Sequence, residues 1–192
     1  MPVASIGFRV KSGYAVAIAL AGPVGSPSVL ARGIIQLSDP ENEATRQPYH
    51  DGFGTAQEDA ATIAKLVRMI ERCGKRSIAA FLNNDALARY TCRHACLVVG
   101  SVIDPAAIGN PHIRAHASEG RLFRTVIEEE LRAHGLSCSV VVDKQLTAQA
   151  VATLARAEVD IKRAVAGFGT TLGGPWRVDE KAAALGAWLA LA

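Results

Sequence analysis

The sequence predicts a single α/β domain, residues 1–192, built on a mixed five-stranded sheet with helices on both faces. The first 37 residues hold three apolar, strand-like runs separated by turn signals, and the rest of the chain alternates helix-like with strand-like segments. The predicted order is β-β-β-α-β-α-β-α, an antiparallel meander followed by strands that are joined through right-handed crossovers. A chain of 192 residues is long enough to bury a substantial core as one domain.

Turn signals set the limits of the opening strands, which we predict over residues 3–10, 14–21 and 28–37. Gly13 lies at a hairpin-like break between the first two strands. A cluster rich in glycine and proline, residues 22–27, separates the second strand from the third. Short connections of this kind predict antiparallel pairing.

Capping signals and periodicity give the remaining elements. Thr55 and Glu58 fit a capping box, which predicts a helix start, and apolar residues at helical spacing continue towards a helix end near Gly74. The further predictions are a helix over 77–90, a strand over 95–100, a loop over 104–111, a helix over 118–134, a strand over 137–142, a helix over 146–157, a glycine-rich loop over 164–174 and a final helix capped by Asp179.

Composition favours a folded protein and leaves its partners open. The chain is 49% hydrophobic and 20% charged, which argues against disorder. A net charge of +3 permits a polyanionic partner without requiring one. No segment approaches the ~20 apolar residues of a membrane span, and the short apolar run 14–22 does not fit a secretion signal. We therefore expect no membrane association, a cytoplasmic location and four reduced, mostly buried cysteines.

Two carboxylates stand at element ends late in the chain. Asp143 follows the buried strand 137–142, and Asp179 stands at the start of the final helix. A strand-end acid and a helix-start acid are what a divalent-metal nuclease uses to hold Mg²⁺ against a phosphodiester. The third acid of such a site is missing from the first strand, where Arg9 stands instead.

Several motifs, in this order along the chain, resemble those of the YqgF family, relatives of Holliday junction resolvases within the ribonuclease H-like superfamily. The matching segments are Ile6-Gly7-Phe8 with Gly13-Tyr14-Ala15, Leu97-Val98-Val99-Gly100 with the helix that contains Gly120-Arg121-Leu122-Phe123-Arg124, Asp143-Lys144-Gln145-Leu146-Thr147, and Asp179-Glu180-Lys181-Ala182-Ala183. The resemblance implies a ribonuclease H-like fold and, in an active member, a metal-dependent nuclease in which Asp143 and Asp179 are catalytic.

The departures from the family pattern concern its acidic residues. The first-strand acid of the family falls on Arg9, and an acid after the strand-end aspartate falls on Lys144. Because a guanidinium keeps its proton in proteins, Arg9 cannot ligate a metal. Asp143 and Asp179, with Glu180 as a further candidate ligand, are the residues expected to hold Mg²⁺ if nuclease activity is retained. Glu119, Asp51 and Asp104 are further acids that could replace the missing metal ligands.

Three hypotheses follow for this sheet edge. The first is an anion-binding cleft, for nucleic acid or a phosphate-bearing ligand, with a degenerate metal site, little or no cleavage and no required cofactor. Its candidate residues are Arg9, Lys11, His50, Arg121, Lys144 and Lys181. The second is an active Mg²⁺-dependent endonuclease on structured DNA or RNA. The third is a non-catalytic, homo-oligomeric scaffold in which Arg9 and Lys144 pair internally with Asp143 and Asp179.

A separate pattern of histidines is less decisive. His112, His116 and Glu119 form H-x3-H-x2-E, a spacing that suggests metal ligands. However, the chain before residue 118 is expected to be irregular, which favours a solvated helix N-terminus. The polar loop 46–54, which contains His50, is equally consistent with a binding loop and with a rigid turn.

Overall fold

The computed structural model describes residues 1–52 and 54–192. Its core is one mixed five-stranded sheet with the strand order β3-β2-β1-β4-β5. The strands are β1 (Val3–Lys11), β2 (Tyr14–Ala21), β3 (Ser28–Gln36), β4 (Thr91–Val99) and β5 (Ser137–Val142). The α-helices are α1 (Ala60–Leu82), α2 (Pro111–Ala133), α3 (Asp143–Leu154), α4 (Glu158–Phe168) and α5 (Val178–Leu191).

The strand pairing confirms the predicted mixed sheet. β1 pairs antiparallel with β2, and the tight turn between them uses a positive φ of 81° at Gly13, which glycine adopts without steric cost. β2 pairs antiparallel with β3, whereas β1 with β4 and β4 with β5 are parallel. β1 is therefore the central strand, and the carboxyl ends of the three parallel strands lie at the same edge.

Helices cover both faces of the sheet, as predicted. One buried cluster joins Ile6 and Phe8 of β1 to residues of α1 and α2, and the other joins β2 and β4 to α3, α4 and α5. Successive residues of a strand point to opposite faces, so Ser5, Gly7 and Arg9 face α5. The Ser5 hydroxyl donates to the Ala187 carbonyl at 2.6 Å, which ties α5 against β1.

The first long helix differs from the prediction at both ends. α1 begins after Asp59, whose carboxylate accepts hydrogen bonds from the amides of Ala61 and Thr62, so the proposed capping box at Thr55 is wrong. The helix also continues through Gly74 to Leu82. Gly74 is required by packing, because a Cβ there would lie 2.5 Å from Val126 Cγ1.

α2 begins seven residues before the predicted start at 118. Asn110 caps it by accepting from the Ile113 amide, and Pro111 occupies the first helical position, where its missing N–H costs nothing. Two later predictions also need correction. α4 occupies residues 158–168, part of which was expected to be loop, and Asp179 lies in the first turn of α5 after the cap residue Arg177. No helix in residues 1–52 and 54–192 has the length and apolar character needed to cross a membrane.

Candidate functional site

Three distant segments bring charged side chains together at the carboxyl edge of the sheet. Arg9 lies near the end of β1, Asp143 opens α3 directly after β5, and Asp179 lies in the first turn of α5. Arg9 Nη2 donates to Asp143 Oδ2 at 2.9 Å, and Arg9 Nε lies 3.6 Å from Asp179 Oδ1. Lys11 Nζ lies 3.4 Å from the same Asp179 oxygen. We call these four residues the Arg9 network.

Burial makes Arg9 the centre of this network. Its side chain is 10% exposed, against 46% for Asp143 and 22% for Asp179. Arg9 Nη1 also lies 3.4 Å from the Val98 carbonyl of the neighbouring strand. Two cations and two carboxylates are thus paired, and the guanidinium occupies the space between the acids.

The Arg9 network does not fit a magnesium ion. A cation bound between Asp143 and Asp179 would lie within a few ångströms of Arg9 and Lys11. One unit charge 4 Å from a divalent ion repels it by roughly 8 kcal/mol at an effective dielectric constant of about 20. Two carboxylates without a third are also a poor ligand set for Mg²⁺ beside two competing cations.

A cleft of about 270 Å³ opens beside the network, and we call it the Arg9 cleft. Arg9, Lys11, Ser101 and Gly120 are among the residues that line it. Within the described part of the chain no aspartate or glutamate lines this cleft. The Lys11 side chain is 37% exposed, and its ammonium group pairs with Asp179. The charged residues among its described lining are Arg9 and Lys11, and both are paired with aspartates of the Arg9 network.

Other predicted residues of this edge lie outside the network. Lys144 and Lys181 are exposed, and neither belongs to an ion pair within residues 1–52 and 54–192. Glu180, predicted as a metal ligand, instead accepts the Arg177 backbone N–H at 2.9 Å and so helps to cap α5. The predicted internal pairing of Lys144 with the aspartates is not seen, because Lys11 takes that place.

A second cleft, of about 440 Å³, lies along α2. Tyr49, Asp104 and Arg121 are among its lining residues, and Arg121 Nη1 is 3.5 Å from Asp104 Oδ1. Burial raises the pKa of the Tyr49 hydroxyl above its usual value, and the Glu119 carboxylate adds to that shift. The raised pKa keeps this hydroxyl protonated to a higher pH than that of a free tyrosine.

His50, predicted as part of the anion-binding edge, lies in a different cluster. Its ring is 4% exposed, and its Nδ1 is 2.7 Å from Oε1 of Glu119, which is 2% exposed. His112 and His116 of α2 complete the group, with His50 Nε2 at 3.3 Å from His112 Nδ1. Phe53, which also belongs to the predicted loop 46–54, lies outside the described residues.

The grouping of His50 with His112 and His116 was missed by sequence reasoning. The available signal was Asn110-Pro111, a cap residue followed by a proline at the first helical position, which places both later histidines on one helical face. The partner of that face could not be found from spacing, because His50 precedes His112 by 62 positions.

Comparisons with known proteins bear on the fold. No protein-family model matches the chain, and no curated protein sequence matches it. Among solved structures, RuvC of Thermus thermophilus in complex with a Holliday junction substrate is similar at a TM-score of 0.55 and 12% identity, over 97% of this chain and 91% of that one. Another Thermus thermophilus RuvC structure gives the same TM-score and identity, with 92% of that chain covered. The protein therefore has a ribonuclease H-like α/β fold, and RuvC is similar to it across nearly the whole chain.

Proposed function

We propose that this protein binds nucleic acid, or another phosphate-bearing ligand, at the Arg9 cleft, with a degenerate metal site and little or no cleavage. The observation that carries the proposal is the position of Arg9. Its guanidinium pairs with both aspartates at the sheet edge where a metal-dependent nuclease needs a third acid.

Charge at the cleft supports an anionic ligand. Arg9 and Lys11 line it together with Ser12 and Ser101, and a phosphate bound there would compete with Asp143 and Asp179 for the two cations. Arginine offers a planar fork of N–H donors and lysine a mobile point charge, and both are common phosphate contacts in nucleic-acid interfaces. Exposed Lys144 and Lys181, on the helices that carry the two aspartates, would extend the positive edge.

The comparison with RuvC suggests the first ligand to test, because one similar structure is a complex with a Holliday junction. Labelled four-way DNA junctions, structured RNA and a linear duplex would be titrated in a fluorescence-anisotropy assay at several salt concentrations. We expect binding that weakens as salt rises, since backbone phosphate contacts release counterions. No binding of any of these ligands at micromolar protein, whatever the salt concentration, would reject the proposal.

A variant pair links that binding to the Arg9 cleft. Lys11→Ala removes one phosphate contact and should lower the slope of log affinity against log salt by about 0.9 on duplex DNA. Lys162→Ala is the control, because Lys162 pairs with Glu158 within α4. Equal effects of the two substitutions would place the ligand elsewhere.

Cleavage assays separate binding from catalysis. The same substrates would be incubated with the protein and Mg²⁺ or Mn²⁺. We expect no cleavage above a protein-free control. Cleavage that Asp179→Asn abolishes would instead support the active endonuclease, with Mg²⁺ as its cofactor. A homo-oligomeric state is a further prediction, which light scattering after size-exclusion chromatography checks.

A further inference from the structure

Three of the five histidines converge on one point between the loop at residue 50 and the start of α2. The ring centroids are 5.1 Å apart for His50 and His112, 4.4 Å for His50 and His116, and 4.6 Å for His112 and His116. One ring nitrogen from each residue lies within 4.8 Å of the others. The cluster therefore holds three potential nitrogen ligands in a space that suits one metal ion.

We propose that His50, His112 and His116 form a binding site for a divalent transition-metal ion of the Zn²⁺ class, with Glu119 as its positioning residue. Imidazole nitrogen is a preferred ligand of zinc and of its neighbours in the first transition row. Two ligands at zinc–nitrogen distances of ~2.0–2.1 Å in a tetrahedral site lie about 3.4 Å apart. His50 Nε2 and His112 Nδ1 are already 3.3 Å apart.

Glu119 fixes the orientation of the rings. Its Oε1 is 2.7 Å from His50 Nδ1, and the tautomer with its proton on Nδ1 would donate to this oxygen and leave the Nε2 lone pair facing His112. Its other oxygen, Oε2, lies 3.6 Å from His116 Nδ1. A carboxylate behind a ligating histidine is the usual support of a zinc site, since it sets the tautomer and increases the basicity of the ring.

The backbone on both sides holds the cluster in place. His112 and His116 are four residues apart near the start of α2 and so lie on one face of a capped helix. His50 forms an isolated β-bridge with Ala56, and the Gln57 amide donates to the Tyr49 carbonyl at 2.9 Å. A bound ion would therefore fasten this loop to α2 without a large rearrangement.

Burial supplies a second argument, because the Glu119 side chain is only 2% exposed. A buried carboxylate is costly unless a positive charge compensates it. Either one protonated histidine or one metal ion can supply that charge. A metal ion would also engage the ring nitrogens of His50 and His112, which face each other at 3.3 Å.

The site is not enclosed. The His116 side chain is 50% exposed, so a metal held by three histidines would keep a position open to solvent. Three protein ligands with an open position are typical of zinc sites that bind water or an anionic oxygen. The inference does not depend on nucleic-acid binding at the Arg9 cleft, and the test below uses no nucleic acid.

Metal titration of the tag-free, metal-stripped full-length protein tests the proposal. Zn²⁺ would be titrated against a competing chromophoric chelator, and Co²⁺ would be added separately to record its visible absorption. We expect one tightly bound Zn²⁺ per chain and Co²⁺ bands of a site with fewer than six ligands. His112→Ala and His116→Ala should each weaken Zn²⁺ binding by about tenfold or more and remove the Co²⁺ bands. Because both residues are at least partly exposed, these variants should fold, which circular dichroism checks.

Two controls separate a built site from general affinity for metals. His94→Ala and His134→Ala change the two histidines outside the cluster and should leave Zn²⁺ binding unchanged. Glu119→Gln should weaken binding by about 10–100-fold while Co²⁺ stays in the same coordination class. Absence of a one-to-one site, or equal binding by wild type and His112→Ala, would overturn the proposal.

Discussion

Arg9 Nη2 lies 2.9 Å from Asp143 Oδ2, although the two residues are 134 positions apart in the chain. The contact exists because β1 is central in the sheet, parallel to β4 and one strand away from β5. Asp143 follows β5 and so reaches the edge where β1 ends. A positive charge thus lies beside two aspartates at the carboxyl edge of the sheet.

Removing that charge should destabilise the protein. Arg9→Met keeps an apolar side chain of similar length but leaves Asp143 and Asp179 without their shared cation. We expect a loss of about 1–3 kcal/mol in unfolding free energy, less than for a fully buried pair because Asp143 is half-exposed. Urea denaturation measures it. Arg163→Met is the control, because its pair with Asp160 is exposed and should contribute less than about 1 kcal/mol. Equal stability of Arg9→Met and wild type would show that the network contributes little.

The effect of Mg²⁺ on thermal stability should change when the charge at Arg9 is reversed. Wild-type protein should keep the same thermal midpoint with and without millimolar Mg²⁺ at constant ionic strength, because Arg9 and Lys11 repel the ion. Arg9→Asp assembles three carboxylates, so Mg²⁺ should raise the midpoint of this variant. Differential scanning fluorimetry measures the thermal midpoints of the wild type and of the variant. The double variant Arg9→Asp/Asp179→Asn should lose the response. A clear Mg²⁺ shift in wild type would contradict the prediction.

The approach of α5 to β1 depends on Gly7. A Cβ at this position would lie 1.9 Å from the Ala183 carbonyl oxygen and 2.3 Å from the Ala187 amide nitrogen. Because backbone atoms cannot move aside as a flexible side chain can, Gly7→Ala should cost at least about 3 kcal/mol, the upper end for overpacking. Gly120→Ala in α2 is the control, since its Cβ meets nothing within 4 Å and alanine favours helix by up to about 1 kcal/mol. Unfolding free energies from urea denaturation decide whether the two changes differ in sign.

The thiol of Cys138 should react slowly in the folded protein. Burial raises its pKa from 9.0 to about 11, and the Glu128 carboxylate adds to the shift. The thiolate is the nucleophile, so iodoacetamide should modify Cys138 far more slowly in the native than in the denatured protein at pH 8. Peptide mass spectrometry after timed quenching follows the reaction at this residue.

The same thiol gives a pH dependence of stability. Because the folded pKa lies above the unfolded one, the folded state binds more protons between pH 9 and 11. This contribution is complete below pH 9 and is lost as the pH rises through about 11. Cys138→Ser should flatten the fall of unfolding free energy over that window. An unchanged profile would contradict the shift.

Local sequence signals predicted which strands and helices are present better than they predicted the residues at which those elements begin and end. The opening strands match to within about one residue, since turn glycines and apolar runs act over short distances. The predicted end of α1 at Gly74 is wrong, because that glycine allows close contact with Val126 of α2 and the helix continues to Leu82. The predicted start of α2 at residue 118 is seven residues late, because Asn110 caps the helix and Pro111 is its first residue.

The sequence by itself determined the three opening strands, the mixed five-stranded sheet with helices on both faces, and the presence of a cation, Arg9, on the first strand. These properties depend on periodicity, turn residues and the charge of single side chains, all of which are local. Only the tertiary structure decided that Arg9 is buried between two aspartates, that Lys11 and not Lys144 completes the network, and that His50 meets His112 and His116. Those contacts join segments whose separation in space is set by strand order and helix packing, which residue spacing does not encode.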